Sequence, residues 1–526
     1  MKKGYLLLLF LFSCSYTIIY GQESPDRKGM VAINRNVIQS QLEFLSSDWM
    51  EGRRSGEKGE LMSSDYIASM LMLYGVKPWG DLNRATLSDN SPGSRSYFQN
   101  FSLVKSTAGT EQSFELKLMS DGFSKSNAYA YNADFFLRPS VSGEIEAPVV
   151  FAGYGFINMK TGFNNLDGID IKNKFVLSIS GIPAFAESKL SLSEINSSVR
   201  EFENMVRSKG AAGLIYINPN LVATGGRMPD MSPAERTPRP YQVYSGYTLR
   251  GDESAGNTPV ITITMKVAND ILDGTGNSIE EYRKNADSNK PYTFKPVDGK
   301  TLIVKTSVLK EIVPVRNILG IIEGNNKDEY IVLGAHYDHM GMNNGYLWNG
   351  ADDNGSGTVG VMTLAKAIIE TGKKPEKNII IALWTAEEQG LLGSEYFVKN
   401  LNVPTKQIRL NVNFDMISRY IAEDQKSKVV MTYTSSEKSF REMTASNLKK
   451  YGIDLNVEYV PSDDPPGGSD HRSFVAAGIP VMRFKPGHRE EYHTPKDEIS
   501  TIDWDIMEKI IKISFANIWQ LADSNW

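Results

Sequence analysis

The sequence predicts an α/β protein with a mixed, largely parallel sheet that is covered by helices on both faces. From residue 312 onward, short apolar runs typical of strands alternate with longer segments typical of helices. Apolar runs of this kind indicate strands that are buried on both faces. The predicted strands are 317–322, 330–333, 378–384, 410–414, 429–432 and 481–484. The predicted helices are 358–369, 391–399 and 504–522.

Two other regions precede this α/β region, which takes up 307–526. Residues 22–124 begin with two predicted helices, joined by a glycine-rich turn at 50–56 that we expect to be a plain helix connection. Residues 125–306 hold short β-type runs separated by Gly, Asn and Asp turns, with one helix at 193–209. This pattern predicts an inserted β-rich module.

The composition is that of a globular, slightly acidic protein of 526 residues with a net charge of −5. A nucleic-acid binder would show a basic surplus, so we expect no nucleic-acid partner. The single cysteine, Cys14, excludes an intramolecular disulfide and a thiolate zinc site. All five histidines fall between 336 and 493, which is where any imidazole chemistry is expected.

The N-terminus predicts export. Lys2 and Lys3 precede an apolar run at 5–12, and this pattern is typical of a secretory signal at 1–21 that is cleaved after Gly21. The run is shorter than the ~20 apolar residues of a membrane span, so we expect no transmembrane span in the mature chain. The sequence around Cys14 also resembles a lipoprotein signal. A periplasmic, secreted or lipid-tethered protein is expected.

Candidate catalytic residues follow the predicted strands, where ligands bind in open α/β sheets. His336 follows the strand at 330–333, and Asp338 could accept its second ring N–H, as metal-ligating histidines usually require. Asp352 lies in the sequence Gly-Ala-Asp-Asp-Asn-Gly-Ser-Gly that opens a helix. A calcium loop fails there, because its twelfth position is Thr363 where a glutamate is needed.

Three more carboxylates and a histidine complete the candidate set. Glu387 and Glu388 directly follow an apolar strand, so that one can bind a metal while the other faces a substrate. Asp415 ends the next strand, where an unpaired buried carboxylate would be costly. His493 lies on a loop, with Asp497 able to orient it.

These residues indicate two hydrolytic metal ions. Mixed nitrogen and oxygen donors without thiolates favour zinc. Two such ions ~3.5–4 Å apart can hold one hydroxide and polarise a carbonyl, and the remaining glutamate can carry the proton to a leaving amine. Serine chemistry is not indicated, because no GxSxG is present and Ser469, Asp470 and His471 are neighbours in sequence, whereas catalytic triads join separated segments.

The motifs resemble those of the co-catalytic di-zinc aminopeptidase family, which includes bacterial leucyl aminopeptidases. Its wider superfamily includes glutamate carboxypeptidase and glutaminyl cyclase. The motifs lie at 336–338, 350–357, 387–388, 413–416, 469–471 and 492–495. The resemblance covers about 310–526, and 35–76 resembles the family's N-terminal helices. The inserted module resembles a protease-associated domain at 149–155 and 209–216.

The resemblance implies a metal ligand set. Asp352 would bridge two zinc ions. His336 and Asp415 would complete one site, and Glu388 and His493 the other.

The resemblance also implies the supporting roles. Glu387 would be the general base and later the acid, and Asp338 would support His336. The peptide bond between Asp352 and Asp353 is expected to be cis. His471 and its two predecessors are expected to form a wall of the site.

His339 and His488 have no role in the family that we can assign. We expect both to be structural or exposed to solvent.

The expected function is that of an exported di-zinc aminopeptidase, which hydrolyses N-terminal residues from peptides with a metal-bridging hydroxide as nucleophile and Glu387 as general base. Three alternatives stay open. They are a glutaminyl-peptide cyclotransferase that uses one zinc, a carboxypeptidase, and a non-catalytic binding protein like the receptors of this superfamily. The sequence shows no clear arginine constellation for a substrate carboxylate. The loop at 461–468 and the inserted module are expected to shape the pocket.

Overall fold

The structure is a computed structural model, which describes residues 23–82, 94–120, 123–190, 192–219, 245–252, 258–343, 345–465, 467–487 and 489–524. The predicted signal at 1–21, with Cys14, lies outside the described residues, and so does His488. Among the helices in the described ranges, none combines the length and apolar character that a membrane crossing requires.

The α-helices are interspersed with the strands along the chain, and a short 3-10 helix lies at Asp48–Arg53. The α-helices are α1 at Pro25–Ala32, α2 at Arg35–Leu45, α3 at Lys58–Leu73, α4 at Ala184–Glu187, α5 at Leu192–Ser208, α6 at Met265–Leu272, α7 at Ile279–Asp287, α8 at Gly357–Glu370, α9 at Leu392–Lys399, α10 at Ser439–Tyr451, α11 at His471–Ala476 and α12 at Trp504–Asp523.

The strands form two large sheets and two short hairpin-like pairs. They are β1 at Lys77–Pro78, β2 at Phe98–Ala108, β3 at Ser113–Ser120, β4 at Phe123–Tyr129, β5 at Phe135–Arg138, β6 at Gly143–Tyr154, β7 at Ile157–Asn158, β8 at Phe163–Asn164, β9 at Phe175–Ile179, β10 at Gly213–Ile217, β11 at Ser245–Leu249, β12 at Val260–Ile263, β13 at Lys300–Thr306, β14 at Val308–Ile322, β15 at Asn326–His336, β16 at Gly341–Asn343, β17 at Tyr346–Trp348, β18 at Lys377–Trp384, β19 at Ile408–Asn413, β20 at Lys428–Tyr433, β21 at Asn456–Pro461 and β22 at Val481–Lys485.

The first sheet is mixed, with a parallel centre. Its strand order is β11-β2-β14-β18-β15-β19-β22-β20-β21, and β1 pairs with β14. The central strands β18, β15, β19 and β22 run parallel to one another, whereas β14 and β2 continue the sheet in antiparallel pairs. The predicted α/β class is confirmed.

The central strand β18 explains why the sequence forms a two-sided sheet. All of its residues are buried. Ile379, Ile381 and Leu383 belong to the core that includes residues of α8 and α12. The residues between them, Ile380, Ala382 and Trp384, pack on the other face with residues of α9 and α11. Both faces therefore require apolar residues from Ile379 to Trp384.

The N-terminal helices cover one face of this sheet. The side chain of Asn34 accepts a hydrogen bond from the N–H of Val37 and so caps the start of α2. The apolar residues Ile38, Leu42 and Leu45 recur at helical spacing and join the main core. This packing brings the turn that follows α2 close to the carboxyl edge of the central strands.

The second sheet has eight strands in the order β4-β3-β13-β6-β9-β10-β12-β5 and a core of its own. It begins at Ser113, earlier than residue 125, where the β-rich module is predicted to start. Strand β11 lies inside the predicted module but pairs with β2 of the first sheet. The domain boundaries and the resemblance to a protease-associated domain stay predictions.

Candidate active site

The candidate functional side chains meet at the carboxyl ends of the central parallel strands. His336 is the last residue of β15, and Asp415 follows β19 by two residues. Glu387 and Glu388 follow the end of β18, and His493 lies on the loop after β22. Because neighbouring parallel strands end at the same edge, segments that are distant in sequence come together there.

The carboxylate of Asp353 lies between two imidazole rings. Its Oδ1 is 3.4 Å from Nε2 of His336, and its Oδ2 is 3.0 Å from Nε2 of His493. Nε2 of His336 is also 3.9 Å from Oδ1 of Asp415, and Nε2 of His493 is 3.4 Å from Oε2 of Glu388. Two donor groups therefore share Asp353, with one of its oxygens in each.

The expectation that Asp352 is this shared carboxylate is corrected by the structure. Oδ1 of Asp352 accepts hydrogen bonds from the hydroxyl and the backbone N–H of Ser418, at 2.6 and 3.0 Å. Its Oδ2 lies 3.6 Å from Nε of Arg419. The cis peptide bond also lies one residue later than expected, between Asp353 and Asn354. Asp352 thus points behind the loop, and Asp353 points into the cluster.

The carboxylate of Asp338 orients the two glutamates rather than the histidine ring. Nδ1 of His336 lies closer to the backbone oxygen of Asp338, at 3.2 Å, than to its carboxylate, at 3.8 Å. The carboxylate instead accepts the N–H of Glu387 at 3.1 Å and that of Glu388 at 3.4 Å. Ser55 donates its hydroxyl to the same carboxylate at 2.9 Å. The predicted support of His336 therefore comes from the main chain.

Asp497 supports the loop that carries Asp353. It was expected to orient His493, but its two oxygens accept the backbone N–H groups of Asp352 and Asp353, each at 2.9 Å. Arg419 donates to Asp497 at 2.6 Å. This buried ion pair fixes the backbone of the loop from behind.

Burial and charge shift the pKa values of the cluster strongly. Burial lowers the pKa of His336, but the facing carboxylates raise it well above its ordinary value. Burial likewise lowers the pKa of His493, and Asp353 and Glu388 raise it to about 10. Burial raises the pKa of Glu387 well above its usual range, and the nearby carboxylate of Glu388 adds to this shift.

The donor set fits zinc. Four carboxylates, one buried and three largely so, would repel one another around two imidazoles unless cations lie among them. Around a tetrahedral zinc ion, ligand atoms that share the ion lie about 3.4 Å apart. The contacts of Asp353 with His336 and His493, at 3.4 and 3.0 Å, are close to this spacing. The oxygen and nitrogen donors suit a hydrolytic metal site.

A cavity of about 510 Å³ opens over the cluster. Beside the candidate ligands, its walls include Leu391, Met416, Ser469, Arg483, Lys485 and Tyr492. Arg483 and Lys485 are the cationic part of this wall. Ser469 accepts a hydrogen bond from Asn413 at 2.8 Å, and the ring of His471 lies 3.3 Å from Nη1 of Arg483. The predicted wall segment at 469–471 thus lies beside the cavity, with its histidine behind Arg483.

The glycine-rich turn after α2 is part of the site and not a plain connection. Arg53 is 1% exposed. Its guanidinium donates to the backbone oxygens of Leu45, Tyr337, Asn349 and Gly350, at 2.6 to 2.8 Å. One side chain therefore ties the turn to the loop after β15 and to the loop before α8. A lone arginine in a helix connection gives no sequence signal for this role.

Glu60 extends this support. Its side chain is buried and accepts a hydrogen bond from the hydroxyl of Tyr337. Gly56 donates its N–H to the same carboxylate at 3.3 Å. Burial raises the pKa of Glu60 to about 7.

His339 is buried, so of the two expectations for this ring, structural or exposed to solvent, the structure leaves the structural one. Its Nδ1 lies 2.7 Å from Oε1 of Glu388 and 4.0 Å from Oδ2 of Asp353. Its distance from His336 in sequence matches no common ligand spacing, and for this reason sequence reasoning missed it.

Comparisons with known proteins relate part of this chain to a peptidase family. Residues 317–518 match the model of peptidase family M28. The glutamate carboxypeptidase 2 homolog of Caenorhabditis elegans is 26% identical over 462 residues, which are 77% of this chain and 58% of that protein. Aminopeptidase Y of Saccharomyces cerevisiae is 28% identical over 232 residues, which are 41% of this chain and 40% of that protein. The chain thus spans about half the length of these curated relatives.

A solved structure shows the same fold. The aminopeptidase from Aneurinibacillus sp. strain AM-1 superposes with a TM-score of 0.56 at 18% identity, over 95% of this chain and 97% of that one. Together with the family match, the fold confirms the resemblance that the motifs predict. The family match is confined to residues 317–518, the part of the chain that carries the candidate site residues.

The geometry around Asp353 predicts unequal effects of two neighbouring substitutions. We expect Asp353→Asn to bind less zinc than the wild type, because it weakens a ligand that faces both histidines. Asp352→Asn is expected to keep the wild-type zinc content and to lower the melting temperature, since it weakens the buried contact with Arg419. Metal analysis after dialysis, with thermal unfolding, checks both. Equal zinc loss in the two variants would contradict the assignment.

The buried Glu60 predicts a pH-dependent stability. Its pKa is about 7 in the folded chain and near its ordinary value of 4.5 when unfolded. Between these values the unfolded state binds fewer protons, so this group's stabilising contribution is lost as the pH rises through 7. We expect the melting temperature of Glu60→Gln to fall less between pH 5 and pH 8 than that of the wild type. The exposed Glu57→Gln serves as control and should follow the wild type. Parallel pH profiles for all three proteins would refute the role of Glu60.

Proposed function

We propose that the protein is a di-zinc metallo-aminopeptidase that removes N-terminal residues from peptides. The observation that carries the proposal is the carboxylate of Asp353, which presents one oxygen to His336 and the other to His493. The family match and the relatives named as aminopeptidases support a peptidase. Export is part of the proposal and depends on the signal pattern at 1–21.

The residues that would hold the two ions follow from these contacts. His336 and Asp415 would bind one, Glu388 and His493 the other, and Asp353 both. When bound, zinc supplies Lewis-acid polarisation of a substrate carbonyl and lowers the pKa of water from 15.7 to about 7. A glutaminyl-peptide cyclotransferase needs one zinc, and a carboxylate shared by two donor groups favours the two-ion reading.

Glu387 is the proposed general base. It lines the cavity, and its Oε2 lies 3.9 Å from Nε2 of His336. Its side chain is 10% exposed, which keeps it within reach of a bound peptide while bulk water is largely excluded. Its raised pKa suits a group that takes a proton from the attacking water and then donates it to the leaving amine near neutral pH.

If Glu387 is the general base, its substitution should lower turnover without changing the zinc content. Glu387→Gln should keep the wild-type zinc content and lose activity by a factor of about 10²–10⁴, the usual contribution of a general base. Glu395→Gln on α9, whose side chain is 41% exposed, serves as the control and should keep both. Zinc analysis and hydrolysis of aminoacyl coumarin amides test this, with a chelator-treated sample as the blank. Near-wild-type turnover in Glu387→Gln would reject the mechanism.

A carboxypeptidase is the second candidate, and one observation favours it. Arg483 and Lys485 lie on β22 and line the cavity, and each interacts electrostatically with Asp415. Two cations there could bind the terminal carboxylate of a peptide. The relative named as a glutamate carboxypeptidase 2 homolog agrees with this alternative. The same cations also face the carboxylate of Asp415, whose pKa Lys485 helps to lower against the effect of burial.

Substrates with one blocked end separate the two candidates. We expect cleavage of peptides with a free N-terminus and a blocked C-terminus, and no cleavage of N-acylated dipeptides. On the aminopeptidase reading, Arg483→Met alters kcat/KM equally for free and amidated peptides, whereas a carboxylate-binding role selectively impairs the free ones. Lys310→Met, at an exposed position of β14, is the control. Cleavage of N-acylated dipeptides alone would establish the second candidate instead.

A further inference from the structure

The ring of His339 is buried against the second donor group. Nδ1 of His339 lies 2.7 Å from Oε1 of Glu388. The other oxygen of this glutamate, Oε2, lies 3.4 Å from Nε2 of His493. Glu388 therefore presents one oxygen to each histidine, and the two contacts differ in length.

The two distances indicate two kinds of contact. Ligand atoms that share a tetrahedral zinc ion lie about 3.4 Å apart, which matches the contact of Glu388 with His493. A separation of 2.7 Å is too short for two ligands of one ion and is typical of a charge-assisted N–H···O hydrogen bond. His339 thus contacts the glutamate directly, although its Nδ1 also lies near enough to Oδ2 of Asp353, at 4.0 Å, for the three side chains to form a group that could hold a metal ion.

The other ring nitrogen determines which atom carries the proton. Nε2 of His339 is buried and has no hydrogen-bond partner within the described part of the chain. A buried N–H without an acceptor is costly, whereas a bare ring nitrogen lacks only a donor. The favoured tautomer therefore carries its hydrogen on Nδ1, where Glu388 accepts it.

The surrounding residues hold the ring in this position. The backbone N–H of His339 donates to the backbone oxygen of Arg53 at 3.1 Å. On the ring's other side, Gly350 has a φ of +56°, and a Cβ there would lie 2.4 Å from Cδ2 of His339. The imidazole is therefore held by close packing against Gly350 and by the main-chain hydrogen bond of its own residue.

We propose that His339 is a positioning residue, which donates its Nδ1–H to Oε1 of Glu388 and so aims Oε2 at the ion shared with His493 and Asp353. The proposal depends on the proposed two-zinc function, since it assigns a role toward one of the two ions. Outer hydrogen bonds of this kind commonly change metal affinity by 10–100-fold. His336 and Asp415, which would hold the other ion, are not the acceptors of this hydrogen bond.

Substitutions that keep or remove the donor test this role. His339→Asn places an amide N–H near the position of Nδ1, whereas His339→Leu and His339→Ala remove the donor. The metal-free proteins are titrated with zinc in competition with a chromogenic chelator, which gives an affinity for each ion. Gel filtration and thermal unfolding of the metal-free proteins show which variants fold, and whichever of the Leu and Ala variants folds is used.

We expect the donor-free variant to bind one ion 10–100-fold more weakly and the other within about threefold of the wild type. His339→Asn should recover most of this loss. Wild-type affinity for both ions in the donor-free variant would overturn the inference alone. So would a loss in His339→Asn as large as that in the donor-free variant, because that result would make His339 a ligand or a packing residue. A wild-type protein that binds no zinc would instead overturn the proposed function.

Discussion

The structure of the site depends on one buried carboxylate, that of Asp353, held between His336 and His493. Two histidines that are distant in sequence can share it only if the loop before α8 lies between the ends of β15 and β22. Asp497 ensures this by accepting two consecutive backbone N–H groups of that loop. Arg419 neutralises Asp497 from behind, so that the support is itself a satisfied, buried ion pair.

A second layer of support comes from the N-terminal turn. Arg53 ties four backbone oxygens together, and Ser55 holds Asp338, which in turn accepts the N–H groups of Glu387 and Glu388. The glutamates are therefore fixed through their main chain, and their carboxylates stay available for an ion, a proton or a hydrogen bond with a histidine. A site of this kind can concentrate negative charge because its geometry is imposed by hydrogen bonds that do not use the functional oxygens.

Much of this arrangement can be predicted from the sequence, and the reasons for the errors are physical. Strand periodicity predicts which residues end the central strands, so His336, Asp415 and the two glutamates are found at one edge as expected. Which of the adjacent residues Asp352 and Asp353 faces the cluster depends on the backbone conformation of the loop. Because the two side chains are identical, the sequence alone does not distinguish them. Arg53 acts through contacts across hundreds of residues, and His339 contacts a glutamate 49 residues away. A single sequence carries no pattern for such contacts.

The pairing of β2 with β14 has a consequence for the second sheet. Strand β2 ends at Ala108 and β14 begins at Val308, and these two residues are direct partners in the ladder. Between them the chain also contributes strand β11 to this sheet, where it pairs with β2. A flexible loop of ~200 residues costs about 3–4 kcal/mol more to close than one of about 4 residues. Here Ser113 and Lys305 pair with each other at the start of the second sheet. The folding of the inserted segment therefore brings its own two ends together. The entropic cost of pairing β2 with β14 is therefore close to that of a short hairpin loop and does not grow with the length of the inserted segment.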